Sequence, residues 1–246
     1  MQDAVTIEKI NFGYKNQPLL IKGLDLTVPA GARFGIFGPN GAGKTTLMGL
    51  MTGLLRYSEG SIKIFGTEIR DNKKDINPII GLVPQDFSLY EQLSPRENLA
   101  FFGAWYGMNA VAVKQKTAEL LHVMGLSDVA DKPVGQFSGG MKRRVNLAIG
   151  VMHAPKLLFL DEPTVGVDVQ SRHAIMDYLH QINKAGTTLI YTSHQLKEAE
   201  DLCDTVALID AGQIIAHDSL QGLLQAHGHK GLEGLFLELT GRDYRD

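Results

Sequence analysis

The stretch Gly38-Pro39-Asn40-Gly41-Ala42-Gly43-Lys44-Thr45-Thr46 fits the pattern G-x-x-x-x-G-K-[ST], in which glycines let successive backbone N–H groups face an anion. A short apolar strand at residues 33–37 precedes it. Apolar residues at helical spacing follow it: Leu47, Leu50, Met51 and Leu54. The positive N-terminal end of that helix adds to the attraction. Lys44 can reach β- and γ-phosphates, and the Thr45 hydroxyl can bind Mg²⁺. This order predicts a nucleoside-triphosphate site.

The composition excludes several other classes of protein. The chain has 246 residues and a net charge of −3 with both signs interspersed, so we expect no nucleic-acid-binding surface. The single Cys203 excludes an internal disulfide, and its helical surroundings predict a small buried thiol. The longest apolar candidate, residues 99–108, is shorter than the roughly 18–20 residues of a membrane helix, and no signal peptide is apparent. We expect a soluble, cytoplasmic chain that reaches a membrane only through a partner.

The hydrophobic pattern predicts an α/β fold. Alternating residues at 5–7, 24–28 and 61–65 predict an antiparallel layer beside the nucleotide strand. From about residue 86 to 136 the pattern is helical, which predicts an inserted lobe. Further elements are expected as strands at 79–83, 157–160 and 187–191, a hairpin at 205–209 and 213–216, and two short helices near 220–225 and 232–239.

Polar residues directly follow four of the predicted strands. They are Gly38, Gln85, the pair Asp161-Glu162, and His194. Because ligands bind outside the carboxyl ends of parallel strands, these groups are expected to converge on one phosphate. Asp161 can hold Mg²⁺, and Glu162 can orient or deprotonate a water in line with the γ-phosphate. Gln85 can ligate the metal or position the water, and His194 can contact the γ-phosphate. The alternatives are a helix-capping acid pair, an ordinary loop amide and a structural histidine.

A second glycine-rich helix start, Ser138-Gly139-Gly140, is a candidate anion site by the same backbone argument. An ordinary helix cap is the alternative. The basic residues that follow are interpreted as a solvated helix face: Lys142, Arg143 and Arg144.

In these motifs the chain resembles, from end to end, the ATP-binding subunit of ABC transporters. The Walker A loop is GPNGAGKTT (38–46), Gln85 is the Q-loop, FSGGM (137–141) is the signature, and LLFLDEP (157–163) is Walker B. VGVD (165–168) stands at the D-loop position and His194 at the switch-histidine position.

The resemblance implies roles and partners. ATP and Mg²⁺ are the expected ligands. Tyr14 would stack on adenine, Ser138 and Gly140 would bind the γ-phosphate held by another subunit in a head-to-tail dimer, and Asp168 would reach across that dimer. The other subunit would be a second copy or a paralogue. Phe87, Leu89 and Tyr90 would line the groove that receives a coupling helix from a membrane permease, with Trp105 nearby. The alternative is that these side chains pack the core of the lobe.

The resemblance also implies an architecture. It is the P-loop NTPase fold of ABC ATPases, with a mainly parallel core sheet, an antiparallel β layer and an inserted helical subdomain. Residues 1–246 would form one such domain: core at 1–85 and 155–218, helical lobe at 86–154, and helical tail at 219–246.

Two departures from the family pattern concern the dimer contacts. Phe137 and Met141 replace the usual Leu and Gln of the signature, and Val165 and Val167 replace the usual Ser and Leu of the D-loop. SGGM followed by basic residues, together with the tail at 232–242, is similar to the type-2 ABC exporter branch, which includes drug, lipid and polysaccharide exporters.

The predicted function is that of an ATP-hydrolysing, energy-coupling subunit of an exporter, peripheral on the inner face of the cell membrane through its permease. The alternative is a soluble ABC ATPase of iron–sulfur assembly, translation or repair. Repair members insert a long coiled coil between Walker A and the signature, whereas 93 residues separate Lys44 from Ser138 here. The sequence does not name the cargo.

Overall fold

A computed structural model describes residues 2–196, 201–226 and 231–241. The chain divides into two compact units. The first unit comprises residues 1–76 and 188–246, and the second comprises residues 77–187.

The elements follow the chain in this order. The first unit contains β1 (Asp3–Phe12), β2 (Ile21–Pro29), β3 (Arg33–Phe37), α1 (Lys44–Met51), β4 (Glu59–Ile64), β5 (Thr67–Glu68) and α2 (Lys73–Ile76). The second contains β6 (Ile80–Val83), α3 (Pro95–Trp105), α4 (Ala110–Val123), α5 (Gly139–Gly150), β7 (Leu157–Asp161) and α6 (Val169–Lys184). The chain returns to the first unit with β8 (Thr188–Ser193), β9 (Thr205–Asp210), β10 (Gln213–Ser219), α7 (Leu220–Ala226) and α8 (Gly231–Thr240).

The antiparallel layer of the first unit has the strand order β2-β1-β4-β5. Its sequence alternates because one face is buried: Leu24, Leu26 and Val28 point inward along β2. Val5 on β1 pairs with Val28, so the apolar residues of neighbouring strands meet on the same face. This layer confirms the antiparallel strands predicted from the alternation.

A parallel group of strands forms the other part of the first unit. β3 lies between β8 and β9 and is parallel to both, with Phe34 paired to Ile190 on one side and Thr205 on the other. From Phe34 to Phe37 the strand is completely buried, as expected of a central parallel strand. β9 and β10 form the predicted hairpin.

The second unit combines two parallel strands with helices. β6 and β7 run parallel, with Val83 paired to Leu160. Helix α3 packs on α4 and α5, and α5 also packs on α6. The predicted helical segment after residue 86 is confirmed by α3 and α4, whereas the assignment of the lobe to 86–154, like that of the core and tail, remains a prediction.

Several element ends differ from the sequence-based expectation. Helix α1 ends at Met51, because Gly53 turns the chain with a φ of +68°, and Leu54 lies exposed beyond the helix. Helix α5 ends at Gly150. Cys203 is buried as predicted, although part of its predicted helix, residues 197–200, lies outside the described residues. None of the helices described has the length and hydropathy needed to cross a membrane.

Candidate functional site

The glycine-rich loop after β3 needs its glycines for space and for backbone conformation. A Cβ on Gly38 would lie 2.1 Å from the carbonyl oxygen of Ile209. Gly41 and Gly43 have φ angles of +82° and +105°, which other residues rarely adopt. The loop therefore follows β3 closely and turns its backbone inward, as the sequence pattern predicts.

Lys44 folds back over this loop. Its side chain is only 6% exposed, and Nζ donates hydrogen bonds to the carbonyl oxygens of Gly38 (2.7 Å) and Pro39 (3.1 Å). Helix α1 begins at Lys44, and in the described chain no side chain caps it. The first-turn N–H groups of α1 and the Lys44 ammonium thus form a cationic cradle suited to a phosphate.

Two further candidates lie in the first unit. His194 directly follows β8, and because Phe37 pairs with Ser193, His194 and Gly38 leave the sheet at the same edge. Tyr14 is exposed, and its hydroxyl shares a 3.0 Å hydrogen bond with Thr46 at the start of α1. His194 therefore lies near the start of the phosphate loop, and Tyr14 lies near its end. Their contacts with nucleotide remain predictions.

The second unit pairs Gln85 with Glu162. Gln85 follows β6 and Glu162 follows β7, and Gln85 Nε2 donates a 3.0 Å hydrogen bond to Glu162 Oε2. Asp161, the last residue of β7, and Glu162 are both buried. Glu162 has a φ of +48°, an unusual conformation for a residue with a side chain. A buried carboxylate in an uncommon backbone conformation, oriented by an amide, is typical of a functional site.

The signature residues stand at the start of α5. Ser138 is the N-cap, and its Oγ accepts a hydrogen bond from the N–H of Met141 (3.3 Å). A Cβ on Gly140 would lie 2.7 Å from Asp168 Oδ2 and 2.8 Å from Ser171 Oγ, so a larger residue there would displace side chains at the start of α6. Gly139 beside it is exposed. Ser138 thus performs the cap role that the sequence left open, and its binding of a phosphate remains a prediction.

Asp168 has a role within its own chain. Its carboxylate caps α6 by accepting a 2.9 Å hydrogen bond from the N–H of Ser171. Hydrogen bonding from the backbone and side chain of Ser171 lowers the pKa of Asp168, so the group is an anion at neutral pH. Its predicted contact across a dimer would use an already ionised, oriented carboxylate.

The interpretation of residues 142–144 as a solvated helix face is wrong. Arg143 is only 5% exposed, and its guanidinium donates to the carbonyl oxygens of Pro84 (3.1 Å) and Gln85 (2.8 Å). Arg144 donates to the carbonyl oxygen of Met124 (2.8 Å), and Lys142 pairs with Glu91 at 2.6 Å. The spacing of residues in the sequence could have indicated that Arg143 is buried. Residue 143 lies three after Gly140 and four before Leu147, and both of these are on the buried face of α5.

A group of aromatic side chains on the second unit, here called the aromatic patch, consists of Tyr90, Phe101, Phe102 and Trp105. Its ring centroids are 5.0 Å apart for Tyr90–Phe101 and 6.5 Å apart for Phe101–Trp105. Trp105 is 78% exposed, which contradicts the alternative that it packs the core. Buried Asn98 fixes Tyr90 by accepting from its N–H (2.8 Å) and donating to its carbonyl oxygen (3.0 Å).

Comparison with known proteins agrees with this geometry. A family model described as "ABC transporter" matches residues 21–165. The linearmycin resistance ATP-binding protein LnrL of Bacillus subtilis is 43% identical over 216 residues, 88% of this chain and 68% of that protein. The Nod factor export ATP-binding protein I of Burkholderia lata is 39% identical over 224 residues, 91% of this chain and 72% of that protein. A solved structure of an ATP-binding subunit of an ABC transporter matches with a TM-score of 0.88 and 26% identity, covering 96% of this chain and 99% of that one.

The fold is therefore that of the ABC ATPases, with the parallel and antiparallel strands and the helices predicted from the sequence. The family match spans the phosphate loop, Gln85, the signature and Walker B. From its fold, its motifs and its relatives, the chain belongs to the ABC transporter family as an ATP-binding, energy-coupling ATPase subunit.

Proposed function

We propose that this ATPase drives export of a small molecule through a separate membrane permease. The Nod factor export protein and the linearmycin resistance protein, both ATP-binding subunits, support the direction of transport. The exposed aromatic patch supports a protein partner, because large apolar side chains in a surface groove are what a partner helix buries.

The proposed chemistry assigns a role to each motif residue. The loop 38–46 and Lys44 bind the phosphates, Glu162 takes a proton from the attacking water, and Gln85 and His194 position that water. The side chains of Thr45, Gln85 and Asp161 carry oxygen atoms of the kind that Mg²⁺ prefers and would hold the ion, and Mg²⁺ when bound would supply positive charge to the phosphates. Tyr14 stacks on the adenine.

The hydrogen bond between Gln85 and Glu162 is the main observation that supports coupling of ATP hydrolysis to the permease. Gln85 contacts the candidate base through its side chain (3.0 Å), and Tyr90 of the aromatic patch lies five residues further along the chain. The backbone between them is short, so a partner helix that displaces Tyr90 acts on the segment that orients Glu162. The ATPase site and the docking surface are thereby linked within one loop.

A second ATP-binding subunit completes the proposed site. Ser138 and Gly139 are exposed at the start of α5, Gly140 beside them is buried, and Asp168 is an ionised neighbour. Two anion sites distant in sequence suit a two-fold dimer in which each subunit completes the site of the other. The partner is a second copy of this chain or a paralogue, and ATP is held between the two.

The proposal is tested by Tyr90→Glu in the native cell. A carboxylate in the patch disfavours burial of a partner helix, so the variant should leave the membrane fraction while the purified protein keeps its ATPase activity. Val111→Glu is the matched control, because Val111 is an exposed apolar residue of α4 outside the patch. Retention of Tyr90→Glu at the membrane would refute the docking surface, and absence of the wild-type chain from the membrane fraction would refute the transport role.

A further inference from the structure

Arg143, which the proposed chemistry does not use, holds the backbone of the Q-loop. Its guanidinium donates to two successive carbonyl oxygens, those of Pro84 (3.1 Å) and Gln85 (2.8 Å). Its Cζ lies 4.8 Å from the centroid of the Phe87 ring, within the range of a cation–π contact. A buried, charged side chain thus contacts residues 84–87, which lie on a different segment of the same unit.

Asn146, one helical turn along α5, holds the same segment. It is almost completely buried, and its Nδ2 donates to the carbonyl oxygen of Pro84 (3.2 Å) while its Oδ1 accepts from the N–H of Ser88 (3.0 Å). Arg143 and Asn146 together bind both ends of the segment 84–88. We call these two residues the α5 clamp.

The clamp connects two functional residues. Gln85 is held by its backbone carbonyl at Arg143 and by its side-chain amide at Glu162. The N-terminus of the same helix is capped by Ser138. A displacement of α5 would therefore be transmitted to the backbone of Gln85, and through its amide to the carboxylate of Glu162.

We propose that Arg143 and Asn146 are positioning residues, which make the orientation of Glu162 depend on the position of the signature helix. This inference rests on the proposed role of Glu162 as the base. The α5 clamp is expected to affect ATP hydrolysis and not ATP binding, because neither of its two side chains lies on the phosphate loop. Closure of the signature on a γ-phosphate would in this way align the base of the same subunit.

The geometry requires arginine. The planar guanidinium presents several N–H donors in a fixed fork, and one of its nitrogens here reaches two carbonyl oxygens while the plane lies over Phe87. A lysine ammonium at this position would keep the charge but lose the planar face and the fixed donor directions. Arg143→Lys is therefore a test of geometry at constant charge.

The test measures ATP turnover by the purified protein. Arg143→Lys should lower kcat about 10- to 100-fold, the size expected when a catalytic group is misplaced by a fraction of an ångström to an ångström, with KM for ATP within about twofold. Arg144→Lys is the matched control, because Arg144 is the next residue of α5 and also donates to a carbonyl, that of Met124. Its kcat should stay within about twofold of wild type.

A double variant separates positioning from general damage. If Arg143 acts through Gln85, adding Arg143→Lys to Gln85→Ala should cause no further loss of kcat, whereas independent defects multiply. The loss of kcat in Asn146→Ser should likewise be absent when Gln85→Ala is already present. If Arg143→Lys melts at a lower temperature than wild type, Asn146→Ser is the variant on which the test relies. Unchanged kcat in both clamp variants, or losses that multiply with Gln85→Ala, would overturn the inference. A wild-type protein without ATPase activity would instead overturn the proposed function.

Discussion

Glu162 illustrates how much of the site is decided by single residues. Its backbone has a φ of +48°, its side chain is buried, and its carboxylate is oriented by Gln85. A non-glycine residue in this conformation costs about 1–3 kcal/mol, which the surrounding packing must offset. The motif predicted the residue and its neighbour, but the conformation depends on the fold around it.

Two glycines of the first unit allow the effect of space to be separated from that of conformation. Gly212 and Gly66 have similar φ angles of +78° and +82°. A Cβ on Gly212 would lie 1.5 Å from the carbonyl oxygen of Leu20, whereas a Cβ on Gly66 would meet no atom within 4 Å. Only Gly212 is therefore needed for the close approach of two chain segments.

We predict that Gly212→Ala destabilises the protein more than Gly66→Ala does. Both variants incur about 1–2 kcal/mol for the left-handed conformation, and Gly212→Ala adds about 1–3 kcal/mol because the backbone at Leu20 must move. Urea denaturation of the two variants measures the difference in the free energy of unfolding. Equal losses would mean that the β9–β10 hairpin tolerates the extra methyl group.

Helix α3, which carries most of the aromatic patch, is fixed at its start by a capping box. Ser94 Oγ accepts a hydrogen bond from the N–H of Glu97 (3.3 Å), and the Glu97 carboxylate accepts from the N–H and the hydroxyl of Ser94 (2.8 Å each). These hydrogen bonds lower the pKa of Glu97 below its ordinary value of 4.5. The ionised carboxylate therefore stabilises the fold above pH 4.5, and this contribution is lost as the pH falls below it.

Ser94→Ala should destabilise the second unit by about 0.5–2 kcal/mol at neutral pH, because α3 loses its N-cap. The difference from wild type should narrow as the pH is lowered below 4.5, because protonation of Glu97 then removes its contribution to the capping box in the wild type as well. Ser94→Thr keeps the hydroxyl and serves as the control. Melting temperatures measured across this pH range test the prediction, and a difference that widens in acid would contradict it.

Helices and strands could be predicted from the sequence where the pattern that identifies them lies within a few neighbouring residues. The strand before the phosphate loop was predicted at residues 33–37 and is observed as Arg33–Phe37, because a continuous apolar run directly precedes a glycine loop. The burial of Arg143 could not be predicted in this way. Its acceptors, the carbonyl oxygens of Pro84 and Gln85, are 59 and 58 residues away in the chain, so only the tertiary structure shows that the charge is satisfied inside.

The sequence motifs are divided between the two compact units. The phosphate loop, Tyr14 and His194 belong to the first unit, and Gln85, Walker B, the signature and the D-loop belong to the second. The family match spans both units. The phosphate loop and the proposed base thus belong to different units, and we predict that ATP binding and ATP turnover respond to different substitutions.

If Glu162 is the base of this ATPase, Glu162→Gln should bind ATP but turn it over slowly, and both properties are measured on the purified variant. The amide keeps the size of the side chain but does not accept a proton, so turnover should fall about 10²–10⁴-fold while ATP remains bound. Lys44→Ala should instead weaken ATP binding, because the phosphates lose their charge partner. Hydrolysis by Glu162→Gln at a rate close to that of the wild type would show that Glu162 is not the base.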